Sequence, residues 1–220
     1  MELRGSTAEV VAGLTAWVGA DDEEPLVVET SGSTGAPKRV VLSRRAVLAS
    51  GRATARRLGG EGRWLLALPA AYVAGAQVVC RSVAAGEAPV LLEEHASLAA
   101  AVAAGAPAYT SLVPTQLHRL LDSAEDVAAL RSLRTVLLGG GPIDPSLRAR
   151  AAAAGVTVVA TYGSAETAGG CVYDGVALDG VGLAVDGDGR LRISGPTLFD
   201  GYEGDPELTR RVLVLSLIHI

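Results

Sequence analysis

Thr30-Ser31-Gly32-Ser33-Thr34-Gly35-Ala36-Pro37-Lys38 packs small hydroxyl residues, two glycines and one cation between two short β-branched runs. Leu26-Val27-Val28-Glu29 on one side and Arg39-Val40-Val41-Leu42 on the other read as strands. The loop therefore joins two strands instead of opening a helix. A Walker A loop, in which a lysine followed by Ser or Thr enters a helix, does not fit. The physics is nevertheless shared: Gly32 and Gly35 let the backbone approach phosphate oxygens, the hydroxyls of Ser31, Ser33 and Thr34 donate to them, and Lys38 offsets their charge. Composition alone favours an ordinary Ser/Gly hairpin loop; the ordered string ending in Pro37-Lys38 points instead to a polyphosphate cradle.

A chain of 220 residues, 49% hydrophobic, can bury a substantial core. Its net charge of −5, without a Lys/Arg stripe interleaved with aromatics, argues against a nucleic-acid binder. Arg44, Arg45, Arg52, Arg56 and Arg57 do cluster, but at helical spacing behind Ser43 as N-cap, which predicts a solvated helix face. Cys80 and Cys171 have neither CxxC spacing nor a histidine cluster, so no disulfide framework or zinc site is expected. His95, His118 and His219 have no triad or metal pattern. The N-terminus lacks a basic segment followed by an apolar core, and no apolar run approaches membrane-spanning length. A cytoplasmic protein without membrane insertion is the expectation.

After an amphipathic helix near Glu9 to Val18, strand-like runs at Trp64–Leu68, Pro89–Leu92, Ala108–Leu112, Thr135–Leu138 and Val156–Ala160 alternate with alanine-rich helical segments. This order predicts an α/β fold with a layered, mostly parallel sheet, whose sites lie at the carboxyl ends of strands. Gly139 to Asp144 and Thr161 to Gly170 both follow strands and can face one crevice. Asp144-Pro145 is a helix start, with aspartate as N-cap and proline at the first helical position. From Val181 the pattern changes to a hairpin, Gly182–Val185 and Arg190–Ile193 around Asp186-Gly187-Asp188-Gly189.

The Thr30–Lys38 string resembles the phosphate loop of the adenylate-forming superfamily, the acyl-CoA synthetases and related adenylation domains. Three further segments follow in that family's order. Ser111-Leu112-Val113-Pro114-Thr115-Gln116 is similar to its strand-to-helix segment, Leu137-Leu138-Gly139-Gly140-Gly141-Pro142 to the loop that passes the adenine, and Ala160-Thr161-Tyr162-Gly163-Ser164-Ala165-Glu166-Thr167 to its Y-G-x-[ST]-E segment, with Ala165 where Thr or Ser is common. Leu66 to Ser82, Gly169 to Gly175 and Leu178 to Val181 further resemble the compact o-succinylbenzoate-CoA ligases of high-GC bacteria, which act in menaquinone synthesis. The resemblance runs from about Glu24 to Val214.

The resemblance implies ATP-dependent activation of an aryl carboxylate through an acyl-adenylate, then thioester formation with CoA, with Mg²⁺ on the phosphates. Lys38, Thr34 and Glu166 would be catalytic, and Thr34 and Glu166 metal ligands. Thr30, Ser31, Gly32, Ser33, Thr34, Gly35, Lys38, Gly139, Gly140, Gly141, Thr161, Tyr162, Gly163 and Ser164 would hold the nucleotide. Glu166 can also be read as a solvated loop carboxylate, and Tyr162 as a core tyrosine. Tyr72 stands where many relatives carry histidine, either an aromatic wall of the acyl site or plain packing. Arg81 or Arg119 could fork the distal carboxylate of a dicarboxylate acid, or be surface arginines. Gly169 and Gly170 would border the substrate, and a homodimer is compatible.

The domains implied are an incomplete AMP-binding α/β large domain over 1–180, the start of a small β subdomain over 181–214, and a tail over 215–220. In the family, a segment like Gly201–Thr209 precedes a ribose-binding aspartate, a hinge and a lid domain with a catalytic lysine. Leu215-Ser216-Leu217-Ile218-His219-Ile220 instead matches the in-frame translation of CTGTCTCTTATACACATC, a transposon-end adapter of sequencing libraries, so the expectation is a non-native tail, with a natural apolar terminal strand as the alternative. The expectation is a lid-less fragment, inactive by itself in overall ligation. Another aryl or acyl adenylating enzyme, a carrier-loading adenylation domain, and a catalytically silent nucleotide-binding fragment are the alternative functions.

Overall fold

The computed structural model describes residues 1–30, 37–214 and 217–219. Helix α1 (Thr7–Gly19) is opened by a capping box: the Ser6 amide donates to the Glu9 carboxylate (2.8 Å) and the Glu9 amide to the Ser6 hydroxyl (3.3 Å). The runs flanking the opening stretch form β1 (Leu26–Glu29) and β2 (Arg39–Leu42), antiparallel with Leu26 opposite Leu42 and Glu29 opposite Arg39. Thr30 closes that hairpin, its amide donating to the Lys38 carbonyl at 2.9 Å. Ser43 caps α2 (Arg44–Leu58), which ends at Gly59 in the left-handed region (φ +81°).

Alternation follows through β3 (Trp64–Leu66), α3 (Val73–Ala84), β4 (Val90–Leu91), α4 (Leu98–Gly105), β5 (Tyr109–Leu112), α5 (Pro114–Leu120), α6 (Ala124–Ser132), β6 (Thr135–Leu138), α7 (Pro145–Ala153) and β7 (Val158–Ser164). Asp144 caps α7, accepting from the Ser146 amide at 2.7 Å, and the Ser146 hydroxyl together with that amide holds its carboxyl below the usual carboxylate range. The chain finishes with β8 (Gly169–Tyr173), β9 (Val176–Ala177), β10 (Gly182–Val185), β11 (Leu191–Ser194), β12 (Gly201–Tyr202), α8 (Pro206–Val212), β13 (Leu213–Val214) and β14 (Leu217–His219).

These strands make three sheets. The large one has seven strands in the order β4-β3-β5-β6-β7-β8-β9, parallel from β4 through β7 and antiparallel beyond. The hairpin of β1 and β2 takes β12 as a third strand, Tyr202 lying opposite Val40. Strand β10 lies at one edge of a four-stranded sheet β10-β11-β14-β13. Gly201–Tyr202, expected within the small β portion, thus returns to the hairpin that carries the opening stretch.

The period of two along each central strand splits the core. Trp64 and Leu66 of β3 and Leu137 of β6 face a cluster with α1, α2 and α3, whereas Leu65, Val136 and Leu138 face one with α4 to α7. Helices therefore cover both sheet faces, and each fully buried leucine contributes about 1.5–3 kcal/mol of apolar transfer. This is the mostly parallel α/β architecture expected. Strand extents differ locally: β3 stops at Leu66, Leu92–Glu94 forms a 3-10 turn, and β7 runs on through Ser164 because β8 pairs with it beyond the end of β6. No helix among the described residues is long and apolar enough to cross a membrane.

The arginine cluster on α2 is not uniformly solvated. Arg45, Arg52, Arg56 and Arg57 are exposed, but Arg44 is folded inward over the Trp17 ring, 5.1 Å from its centroid. It donates to the Ala20 carbonyl (2.8 Å) and pairs with Asp22 (2.9 Å). Its placement at the first turn of α2, beside the end of α1, makes it a clamp between helices. Replacing Arg44 with Ala should cost about 1–2 kcal/mol in urea denaturation, while Arg45→Ala should stay within about 0.5 kcal/mol. Equal effects of the two substitutions would refute the clamp.

Candidate active site

The order β4-β3-β5-β6-β7 means that the chain winds outward from β3 to β4 and then reverses to β5. Such a reversal opens a crevice at the carboxyl ends of the strands. A crevice of about 600 Å³ lies there, lined by Leu68 beyond β3, Ser111 to Val113 at β5, Gly139 to Pro142 beyond β6 and Thr161 to Ser164 at the end of β7. Gly169, Gly170 and Tyr173 of β8 and Val73, Ala74, Gln77 and Arg81 of α3 complete the wall.

Two close backbone approaches shape it. A Cβ on Gly139 would lie 2.3 Å from Thr161 Oγ1, so only glycine lets the end of β6 pass β7. At the β7–β8 turn the register shifts between Tyr162 and Gly163, and a Cβ on Gly163 would meet the Gly169 carbonyl at 2.1 Å. The turn itself is a 3-10 segment (Ala165–Thr167) held by Thr167, whose hydroxyl donates to the Gly169 carbonyl (2.7 Å) and accepts from the Ser164 amide (2.9 Å). Ala168 follows with φ +50°, its buried carbonyl accepting from Ser50 Oγ (3.0 Å) and Gln77 Nε2 (2.8 Å).

Arg81 is the one charged residue among the described lining residues. It is 8% exposed, its guanidinium lies 5.1 Å from the Trp64 ring, and its Nε has no hydrogen-bond partner. Among the described residues no carboxylate pairs with it. One turn earlier on α3, Gln77 Oε1 is a buried acceptor without a donor. Both side chains also border a second cavity of about 260 Å³ between α2 and α3, so they form the partition between the two spaces. Cys80 borders that second cavity, and burial pushes its thiol up to about 12, leaving it inert as a nucleophile. Ser164 Oγ is likewise without a partner.

At the rim the 3-10 turn packs against β2. Tyr202 Oη donates to Glu166 Oε1 at 2.8 Å, and Lys38 Nζ lies 5.4 Å from the centroid of the Tyr202 ring. Among the described residues no group of three His, Cys, Asp or Glu side chains could enclose a metal. Glu166 instead offers a single carboxylate. That fits Mg²⁺, which takes one or two carboxylates and fills its shell with water and phosphate oxygens.

A profile of the AMP-binding enzyme family matches residues 20–203. The chain belongs to that family. A Mycobacterium tuberculosis protein named "Probable 2-succinylbenzoate--CoA ligase" is 49% identical over 189 residues, 83% of this chain and 49% of that protein. The chain thus spans about half the length of that curated relative. Two crystal structures of o-succinylbenzoate-CoA synthetase from Bacillus subtilis superpose closely. The complex with ATP and magnesium ion gives a TM-score of 0.79 at 25% identity, over 88% of this chain and 46% of that one. The complex with the acyl-adenylate intermediate OSB-AMP gives 0.78 at 25% identity, over 88% and 45%.

Within this AMP-binding fold, Gly139, Gly140, Gly141, Thr161, Tyr162, Gly163, Ser164, Gly169, Gly170 and Arg81 all line the crevice. Thr30 sits at the hairpin base, and Lys38 and Glu166 meet at the rim through Tyr202. Ser31, Gly32, Ser33, Thr34 and Gly35 lie outside the described residues. Tyr72, the residue preceding α3, is 49% exposed and stands beside the crevice without lining it. Arg119 is exposed in a separate groove with His118 and Arg150. Sequence reasoning passed over Gln77 and Tyr202. Gln77 carries a signal in retrospect, an amide one turn before a buried arginine on an otherwise apolar helix; Tyr202 carries none, since its partners are remote in sequence.

Gly163→Ala should lower stability by about 1–3 kcal/mol, because the added methyl meets a backbone carbonyl that cannot rotate away. A melting temperature equal to that of the parent would show that the β7–β8 approach is looser than described.

Proposed function

We propose that the protein carrying this chain is an AMP-forming acid–thiol ligase acting on o-succinylbenzoate. The carrying observation is the approach of Lys38 and Glu166 to one residue, Tyr202, with Glu166 on the turn that joins two strands of a crevice whose described lining holds one unpaired, buried cation. The family match and the named relatives support the same reading.

In the first half-reaction a carboxylate oxygen of the acid attacks the α-phosphorus of ATP and pyrophosphate leaves with the bonding pair. In the second, the CoA sulfur attacks the acyl carbon and AMP departs. Repulsion between anions is the main obstacle, so the chain's contribution is positioning and charge compensation. Lys38, together with the hydroxyls of Ser31, Ser33 and Thr34, would neutralise the β- and γ-phosphates. Glu166 and Thr34 would hold magnesium, which when bound would supply further neutralisation of phosphate charge. Gly139 to Gly141 and Tyr162 would flank the adenine, and Ser164 Oγ, unpartnered in the crevice wall, is available to a nucleotide oxygen.

Arg81 would receive the distal carboxylate. A guanidinium removed from water without a counter-ion is costly, and a bidentate carboxylate relieves that cost. Gln77 Oε1 beside it would accept from a water held in the same place. Arg119 lines a separate groove, which favours Arg81 for this role.

Lys38→Ala in the full-length enzyme should reduce ATP–pyrophosphate exchange by about 30- to 1000-fold, the equivalent of about 2–4 kcal/mol of transition-state stabilisation. Exchange within twofold of the parent at saturating ATP would overturn the phosphate role. Arg81→Met should raise KM for o-succinylbenzoate by about 10- to 100-fold while leaving KM for ATP and the melting temperature near parental values, since a buried unpaired charge is replaced by a similar apolar volume. An unchanged KM for the acid would remove Arg81 from the substrate site.

A further inference from the structure

We propose that Tyr202 is a positioning residue that holds Lys38 and Glu166 apart and aims each of them, its ring seating the ammonium and its hydroxyl fixing one carboxylate oxygen. The inference rests on the roles given above to Lys38 and Glu166. Neither side chain has an ion-pair partner among the described residues, although they carry opposite charges and approach the same tyrosine. Left to themselves, a lysine and a glutamate so placed would pair and neutralise one another. The ammonium lies over the phenol ring, Nζ 5.4 Å from its centroid, while the hydroxyl takes Glu166 Oε1 at 2.8 Å, so the two charges engage different parts of one side chain.

Tyr202 can do this because its own position is over-determined. It is 7% exposed and pairs with Val40 in the sheet, next to the point where Lys38 enters β2. Its amide donates to Thr209 Oγ1 at 2.8 Å, and that hydroxyl donates to the Asp205 carbonyl at 2.8 Å. The Phe199 ring meets it edge-on at 4.9 Å, and the Phe199 amide donates to the Glu166 carbonyl at 2.9 Å. Glu166 is thus gripped through both backbone and side chain by one short segment. With Oε1 engaged, Oε2 is the oxygen left to a cation.

The test compares Tyr202→Phe, Tyr202→Leu and Glu166→Gln in the full-length protein, using Mn²⁺ binding followed by electron paramagnetic resonance in the presence of a non-hydrolysable ATP analogue. Tyr202→Phe keeps the ring and should weaken Mn²⁺ binding by about 3- to 10-fold, the scale of one lost hydrogen bond to a charged group, with metal-free binding of the analogue unchanged. Tyr202→Leu should weaken both, because the ammonium loses its seat. Parental Mn²⁺ affinity in Tyr202→Phe alongside weakened affinity in Glu166→Gln would overturn the positioning role alone. Parental affinity in Glu166→Gln as well would overturn the metal reading of Glu166 and the inference with it.

Discussion

The carbonyl of Ala168 is the point on which the site depends. It belongs to a residue in the left-handed region, fully buried, where an unsatisfied acceptor would cost about 1–3 kcal/mol. Ser50 from α2 and Gln77 from α3 both donate to it, and Gln77 also donates to the Val47 carbonyl at 3.2 Å. Two helices and the β7–β8 turn are thereby locked in one arrangement. That arrangement orients the preceding residue pair so that Thr167 turns inward and Glu166 outward toward Tyr202. The crevice wall, with Gln77 and Arg81 on one helix face and Gly169 and Gly170 opposite, follows from the same lock.

Charge is distributed around this frame with a clear division. Arg39 is engaged by Glu2, Glu29 and Glu203, and the hydrogen bonds of Glu2 and Glu203 push its guanidinium above its ordinary range. Its neighbour Lys38 has no carboxylate partner among the described residues. Surface pairs of the Arg39 kind contribute little stability individually. Their effect here is geometric, tying the N-terminus, the β1–β2 hairpin and the end of β12 together so that Lys38 and Tyr202 adjoin. Inside the crevice the pattern reverses: Arg81 is buried, stacked on Trp64 and unpaired, an arrangement suited to an arriving anion rather than to stability.

Local elements were legible in the sequence wherever local chemistry decides them. The hairpin strands at Leu26 and Arg39, the Ser43 cap of α2, the Asp144-Pro145 start of α7 and the Gly182–Val185 strand all arise from neighbours within a few residues. Extents were less legible. β7 reaches Ser164 because β8 supplies hydrogen-bond partners, and β3 halts at Leu66 where the sheet opens on the crevice. The solvated reading of Arg44 failed because its partners, Trp17, Ala20 and Asp22, lie outside its own helix.

The sequence by itself determined the alternation of strands and helices, hence a layered α/β sheet with loops at the carboxyl ends, and the ordered motifs that place the chain among AMP-binding enzymes. Periodicity, capping and glycine spacing act over a few residues and need no tertiary information. Only the tertiary structure decided which polar groups face one another. The pairing of Tyr202 with Glu166, across 36 residues of chain, depends on β12 returning to β2. That Arg81 is buried in the crevice wall while Arg119 is exposed depends on which helix face the sheet covers, since burial without a counter-ion is a property of the packed interior and not of the residue.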